Sequence, residues 1–447
     1  MAQLMTLDYV LLVVYFLVLL YIGYKVSKKQ KPDDFLIAGR KLNSFTTMAT
    51  VNASKTGSIL MIFVALVYLW GISALWYFIG MVVGVLIFIP FAMKLKDNSN
   101  QRFYTLADYF KYNYGKKVAK FVSAITIFLM LGYLVMNLIA GTKIFVFFTS
   151  WPFWLCAIIM VTIVLIYLLI GGFKAVVKTD IIQYVVFVIL LGLMAFMIFS
   201  GSIIPVAEWN LFKMSIGTII GFFVVGIFFP FAMPDMWQRV YASKDKKTLK
   251  KGLLLSVALY IVFSLCIALI ALAVKSYFPS VDPGLALIHG FANLLPRGFL
   301  GLASLLLFAA MMSSIDTYIF TGASSIVQDF FKLPKKKTVK IIKITILGLA
   351  VIGTIISILI QNLVLSTYIF VSMILVLGVI VMATWIKKKI KPKTLFIALC
   401  IATGLLIIIL ISSWIVTGGL KPIVAVLAIL GTILGLIIGS FFSKAHK

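Results

Sequence analysis

The sequence predicts an all-α, polytopic membrane protein of about 13 transmembrane helices, and three observations predict it. Hydrophobic residues make up 63% of the 447 residues, charged residues 12%, and mean hydropathy is +1.17. No soluble domain of this length can hide so much apolar surface. The basic residues segregate to one side of the apolar segments. Two of those segments are interrupted at mid-length, one by polar residues and one by prolines.

The apolar stretches lie near 6–25, 44–69, 71–93, 118–148, 152–172, 176–200, 214–235, 252–274, 296–327, 339–361, 364–386, 394–416 and 420–442. Each approaches or exceeds the ~20 residues that cross a bilayer. No polar stretch between them is long enough for a soluble domain of ~50 residues, so a single membrane domain, 1–447, is expected. Segment 6–25 lacks a basic leader and a small-residue cleavage site, and is expected to be an uncleaved leading helix. Segment 44–69 holds the polar run Asn52-Ala53-Ser54-Lys55-Thr56-Gly57-Ser58. A charge at that depth costs at least about 2.5–3.5 kcal/mol, so Lys55 marks a polar cavity beside a broken helix. Segment 214–235 ends in Phe229-Pro230-Phe231-Ala232-Met233-Pro234-Asp235, where two prolines interrupt the helix. These are the second and seventh segments, five apart, and an odd offset inverts membrane orientation. Paired interruptions of this kind point to an inverted-repeat transporter. The expected repeats are 44–200 and 214–386, with 394–442 as two trailing helices.

The formal charge of +28 follows topology and not nucleic-acid binding. With the N-terminus outside and the C-terminus cytoplasmic, all but six of the 40 Lys and Arg fall on the inner side. The exceptions are Lys143, Lys213, Lys275, Arg297 and Lys421, outside, and Lys55 within a span. The expected location is the plasma membrane. Cys156, Cys266 and Cys400 sit in apolar segments and read as core residues. No metal-ligand cluster, nucleophile–base set or phosphate loop is found. An enzyme is not expected, and no cofactor beyond a coupling ion.

Four motifs occur in order: Asp34 to Arg40 (DFLIAGR), Gly171 to Gln183 (GGFKAVVKTDIIQ), Gln238 to Asp245 (QRVYASKD) and Ala309 to Thr317 (AAMMSSIDT). Together they resemble the sodium:solute symporter family over about residues 5–390. The resemblance implies a LeuT-type fold, symport of a small organic solute, and sodium as the coupling ion. It also implies a sodium site from the carbonyls of Thr50, Ala53 and Ala310 and the hydroxyls of Ser313 and Ser314. Hydroxyls and freed carbonyls are the hard oxygen ligands such an ion takes. Asp180 resembles a family aspartate on the ion path, and Asp316 and Thr317 match positions of a second ion site in some members. Taken alone, Asp180 could instead cap the helix it begins.

The solute pocket is expected between the two interruptions. Candidates are Asn52, Ser54, Lys55 and Thr56 from the first, Phe229 and Asp235 from the second, and Tyr133 and Asn137, with Trp70, Trp76 and Tyr368 closing it. The modest polarity of this set favours an amino acid such as proline, or a small carboxylate, over a sugar. Lys55 departs from the family pattern. It could neutralise a substrate carboxylate, pair with Asp316 or Asp180, or replace the sodium. The last alternative means proton-coupled or uncoupled transport, because an ammonium about 4 Å from a sodium ion repels it by about 4 kcal/mol at an effective dielectric of 20. More remote are a channel, which needs a continuous polar lining, and a transporter-like sensor, which needs a signalling domain. Expected partners are the solute, the cation and the lipid bilayer, with no nucleic acid. The oligomeric state is not legible.

Overall fold

A computed structural model of the chain describes residues 5–28, 30–97, 103–199, 204–296, 298–387, 390–417 and 423–444. Arg297 and Lys421 lie outside the described residues, as does the side chain of Tyr368. The described residues are all-helical, with one isolated bridge between Leu42 and Ser243. The helices are α1 (Thr6–Ser27), α2 (Pro32–Ile37), α3 (Ser44–Trp70), α4 (Trp76–Asp97), α5 (Leu106–Thr149), α6 (Phe153–Phe199), α7 (Ile216–Ala232), α8 (Pro234–Ala242), α9 (Lys246–Tyr277), α10 (Ala286–Leu294), α11 (Leu300–Phe330), α12 (Lys335–Ile360), α13 (Leu363–Ile386), α14 (Pro392–Thr417) and α15 (Ile423–Lys444).

Ten stretches of helix are long and apolar enough to cross a membrane, or eleven if α7 and α8, bent by 45°, form one span. Two of the ten are of double length. One runs from α3 through α4, and the other is α6, whose 47 residues exceed any single crossing. α6 turns at Gly172, where φ is +56 and a Cβ would fall 2.4 Å from the Phe35 ring. Only glycine fits that backbone and that contact.

Burial separates a core from a rim. The spans of α11 and α5 are 83% and 78% buried, whereas those of α1, α14 and α15 are 22–33% buried. On α1 the exposed residues include Leu7, Val10, Val13, Val14 and Leu17, an apolar face suited to lipid.

The loops gather at two ends. At the Lys-rich end, Arg40 donates to the carbonyls of Phe103 (2.7 Å) and Tyr241 (3.2 Å). The Leu42 N–H donates to Ala242 and the Lys244 N–H to Leu42, so the segment before α3 is zipped to the end of α8. Asp34 pairs with Lys174 and Asp33 with Lys335. At the opposite end Glu208 pairs with Lys213 (2.7 Å) and Lys275 (2.9 Å). Partial burial opposes ionisation of Glu208, but the two lysines outweigh it and hold its carboxyl below the ordinary range.

Candidate ion and solute site

The α3 helix breaks at Gly57, whose ψ of −105° takes it out of the helical region. In an intact helix the Gly57 and Ser58 N–H groups would bond the carbonyls of Ala53 and Ser54. Here all four groups meet side chains. Gly57 N–H donates to Ser314 Oγ (3.1 Å) and Ser58 N–H to Asn137 Oδ1 (2.7 Å). The Ala53 carbonyl accepts from Ser313 Oγ (2.8 Å) and Thr56 Oγ1 (2.9 Å). The Ser54 carbonyl accepts from Tyr318 Oη (2.7 Å) and Ser314 Oγ (3.2 Å). Buried backbone groups in a membrane must be paired. The break is thus held by α5 and α11. Gly57 is obligatory, since a Cβ there would lie 2.1 Å from Asn137 Oδ1 and 2.4 Å from Ser314 Oγ.

Four of the five expected sodium ligands meet at this break: Ala53, Ala310, Ser313 and Ser314. Both serine hydroxyls also reach back to the Ala310 carbonyl, at 3.1 and 3.4 Å. The result is a knot of hydroxyl and carbonyl oxygens between α3 and α11. The fifth, the Thr50 carbonyl, is turned elsewhere and accepts from Arg239 Nε at 3.0 Å. The Ser54 carbonyl stands beside Ser314 in its place.

The second break falls at Met233, an extended residue between α7 and α8. Pro230 removes a donor inside α7, and Pro234 starts α8 with its φ already helical. All nine residues of α8 are buried. It carries Arg239, a fully buried guanidinium that joins four helices. Its Nε donates to Thr50 Oγ1 (3.1 Å) as well as to the Thr50 carbonyl, and Nη1 donates to the Asp235 carbonyl (3.1 Å). Nη2 donates to Asp180 Oδ2 (3.3 Å) and Thr317 Oγ1 (3.0 Å). Asp235 Oδ2 is 3.6 Å from Nη1. Sequence reasoning missed Arg239 because its motif reads as a cytoplasmic loop. The available signal was that Asp235, Gln238 and Arg239 recur at i, i+3 and i+4, one polar face on a segment otherwise made of Met236, Trp237, Val240, Tyr241 and Ala242.

Asp180 is not a helix cap. It lies well inside α6, fully buried, and accepts from Thr50 Oγ1 and Arg239. Asp316 accepts from Tyr167 Oη (2.7 Å), a partner that was not legible from spacing or composition. Asp180, Asp235 and Asp316 each keep one buried oxygen without a hydrogen bond. Thr317 faces Arg239.

Lys55 is 2% exposed and pairs with neither Asp316 nor Asp180. Its Nζ lies 3.6 Å from Met236 Sδ and 5.0 Å from the centroid of Phe229. Its ammonium therefore lies against α7 and α8, whereas the oxygen knot lies against α11. Asp235 accepts from Ser54 Oγ at 3.1 Å. Tyr133 packs edge-on against Phe229, ring centroids 6.2 Å apart. Three expected solute residues are engaged elsewhere. Asn52 donates to Tyr184 Oη (2.9 Å) and accepts from Ser256 (2.6 Å). Asn137 is spent on Ser58 and its own helix. Thr56 bonds the Ala53 carbonyl. Trp76 donates to the Leu211 carbonyl at the loop end, while Trp70 lines a cavity beside the break.

Two discontinuous helices facing one another, with buried oxygen ligands and charges between them, define a secondary transporter of the broken-helix type. A family model described as "Sodium:solute symporter family" matches residues 35–364, and the chain belongs to that family. A sodium/proline symporter of Staphylococcus aureus (strain Newman) is 29% identical over 354 residues, which cover 73% of this chain and 68% of the relative. The fold is similar to that of a Na+-coupled sialic acid symporter in a substrate-bound outward-open state, with a TM-score of 0.80 at 19% identity and 97% coverage of each chain. A nucleobase-cation-symport-1 family transporter in a closed conformation gives a TM-score of 0.64 at 13% identity, covering 92% of this chain and 94% of that one. These are LeuT-fold transporters. The chain is a sodium-coupled secondary transporter.

Proposed function

We propose that the protein imports a small organic carboxylate together with sodium, and that Lys55 anchors the carboxylate. The observation that carries this reading is Lys55 itself: a buried ammonium at the junction of the two breaks, with no carboxylate paired to it among the described residues. An unpaired buried charge is costly, so it is kept where a ligand of opposite sign completes it. Relatives of the chain carry proline and sialic acid, both carboxylic acids. Sodium binds in the oxygen knot of Ala53, Ser54, Ala310, Ser313 and Ser314. Asp180, Asp316 and Thr317 line its path toward the Lys-rich end. That end is cytoplasmic, the N-terminus is outside, and the membrane is the plasma membrane. Dividing the two double-length stretches at Trp70 and Gly172, and counting α7 with α8 as one, makes thirteen spans. The zipped Lys-rich end and the cavity on the other side correspond to an outward-facing state.

The test is uptake into proteoliposomes under an imposed sodium gradient. Labelled carboxylates, amino acids and sugars are compared, with each acid set against its neutral amide. Sodium-driven accumulation of an acid and not of its amide is the expected result. Equal uptake of the two refutes the anchoring role.

A further inference from the structure

We infer that the transported carboxylate carries an apolar body rather than a hydroxylated one. The inference rests on the carboxylate reading above and extends it to the rest of the solute. A cavity of about 310 Å³ lies between α3, α5, α7 and α13, with α15 closing one side. That is the lower end of the size range for small-molecule pockets. Its wall on α3 is Ile59, Ile62 and Leu66, and Met136, Phe222 and Leu375 face it from the other helices. The few hydroxyls on the wall are mostly spent. Thr367 donates to the Leu363 carbonyl (2.8 Å), Ser372 to the Ile369 carbonyl (3.0 Å), and Ser58 accepts from Asn137 (3.1 Å). The phenols of Tyr77 and Tyr133 and the indole of Trp70 are the polar exceptions.

One packed aromatic layer separates the cavity from Lys55. Tyr133 stands on its wall and packs against Phe229, and Phe229 carries the ammonium. A solute spanning the two places meets one positive charge at its head and hydrocarbon around its body. A polyhydroxylated acid would bury several hydroxyls against that wall with almost nothing to pair them, at about 1–3 kcal/mol each. An aliphatic or aromatic carboxylate loses nothing there and gains its transfer free energy.

The experiment is sodium-dependent thermal stabilisation of the purified full-length protein by three six-carbon probes: 4-methylpentanoate, gluconate and 4-methylpentanamide. Stabilisation by 4-methylpentanoate alone is expected, and the I62N variant is expected to weaken it at least tenfold while leaving the response to sodium alone unchanged. Stabilisation by gluconate equal to or above that by 4-methylpentanoate overturns the apolar body and leaves the carboxylate anchor standing. Equal stabilisation by 4-methylpentanoate and its amide overturns the anchor and leaves the apolar body standing. An unaltered 4-methylpentanoate affinity in I62N, or no response to any of the three probes, overturns the inference.

Discussion

Removing the Arg239 guanidinium tests whether one side chain holds the two halves of the site together. It makes five hydrogen bonds to α3, α6, α8 and α11, with no solvent exposure. In R239M the volume is nearly kept, but Asp180 and Asp235 lose their only ion-pair partner among the described residues. Breaking a buried pair by deleting one member costs about 3–5 kcal/mol, because the other charge stays buried and uncompensated. The assay is a double-mutant cycle with D180N, read as the apparent free energy of unfolding in mixed detergent micelles. R239M alone should lose about 3–5 kcal/mol. R239M/D180N should lose less than the two single losses together, with a coupling of about 1–3 kcal/mol. R239K should not rescue, since a single ammonium cannot reach four helices as a planar fork does. Additive losses within about 0.5 kcal/mol would show that Asp180 and Arg239 are neighbours without being partners.

Replacing both Ser313 and Ser314 with Ala should abolish sodium-dependent stabilisation while expression and folding persist; a wild-type sodium response would remove these hydroxyls from the ion site. Gly57→Ala should lower sodium affinity at least tenfold, because the new Cβ collides with Asn137 Oδ1 and Ser314 Oγ, and an unchanged affinity would mean the break can slide without consequence. Single cysteines placed at Lys111, Lys246 and Lys336 should resist impermeant thiol reagents added outside intact cells, and ready labelling at two of them would invert the assigned sidedness. Lys55→Ala should keep its sodium response and lose apparent carboxylate affinity by tenfold or more; a variant that gains sodium dependence would instead show that the wild-type ammonium stands in for the ion.

What the sequence disclosed was set by how strongly membrane burial constrains it. Spans, interruptions and family are legible because an apolar bilayer tolerates prolines and a polar run inside a helix only where other helices pair the freed groups. The serine pair Ser313 and Ser314 was singled out by the resemblance of its motif to the family, and the structure places both hydroxyls at the α3 break. The partners of buried charges were not, because pairing depends on rotation of helices that sequence spacing does not fix. Thr50 shows this. Its carbonyl sits one turn before Ala53, yet it is turned to Arg239, and the Ser54 carbonyl faces Ser314 instead. Asn52 shows it again. Read as a solute ligand because it belongs to the first helix interruption, it sits on the face toward α6 and α9. Tyr167 and Tyr318, which hold Asp316 and the Ser54 carbonyl, looked like any aromatics in a membrane helix.

If Lys55 anchors the solute carboxylate as proposed, its placement against α7 and α8 turns the conflict between an ammonium and a sodium ion into a source of coupling. Asp180, Asp235, Asp316, Lys55 and Arg239 are all buried around the two breaks. With every group ionised this cluster holds one negative charge in excess, which favours a sodium ion. A solute carboxylate that settles on Lys55 neutralises the nearest repulsive charge. Unit charges about 8 Å apart at an effective dielectric of 20 interact by about 2 kcal/mol, roughly thirtyfold in affinity. By linkage the same factor applies in the other direction, so sodium tightens the solute as much as the solute tightens sodium. A neutral residue at position 55 would remove most of that reciprocity while leaving both oxygen knot and cavity in place. Under the proposed anchoring role, the lysine is the element that makes each ligand sense the other.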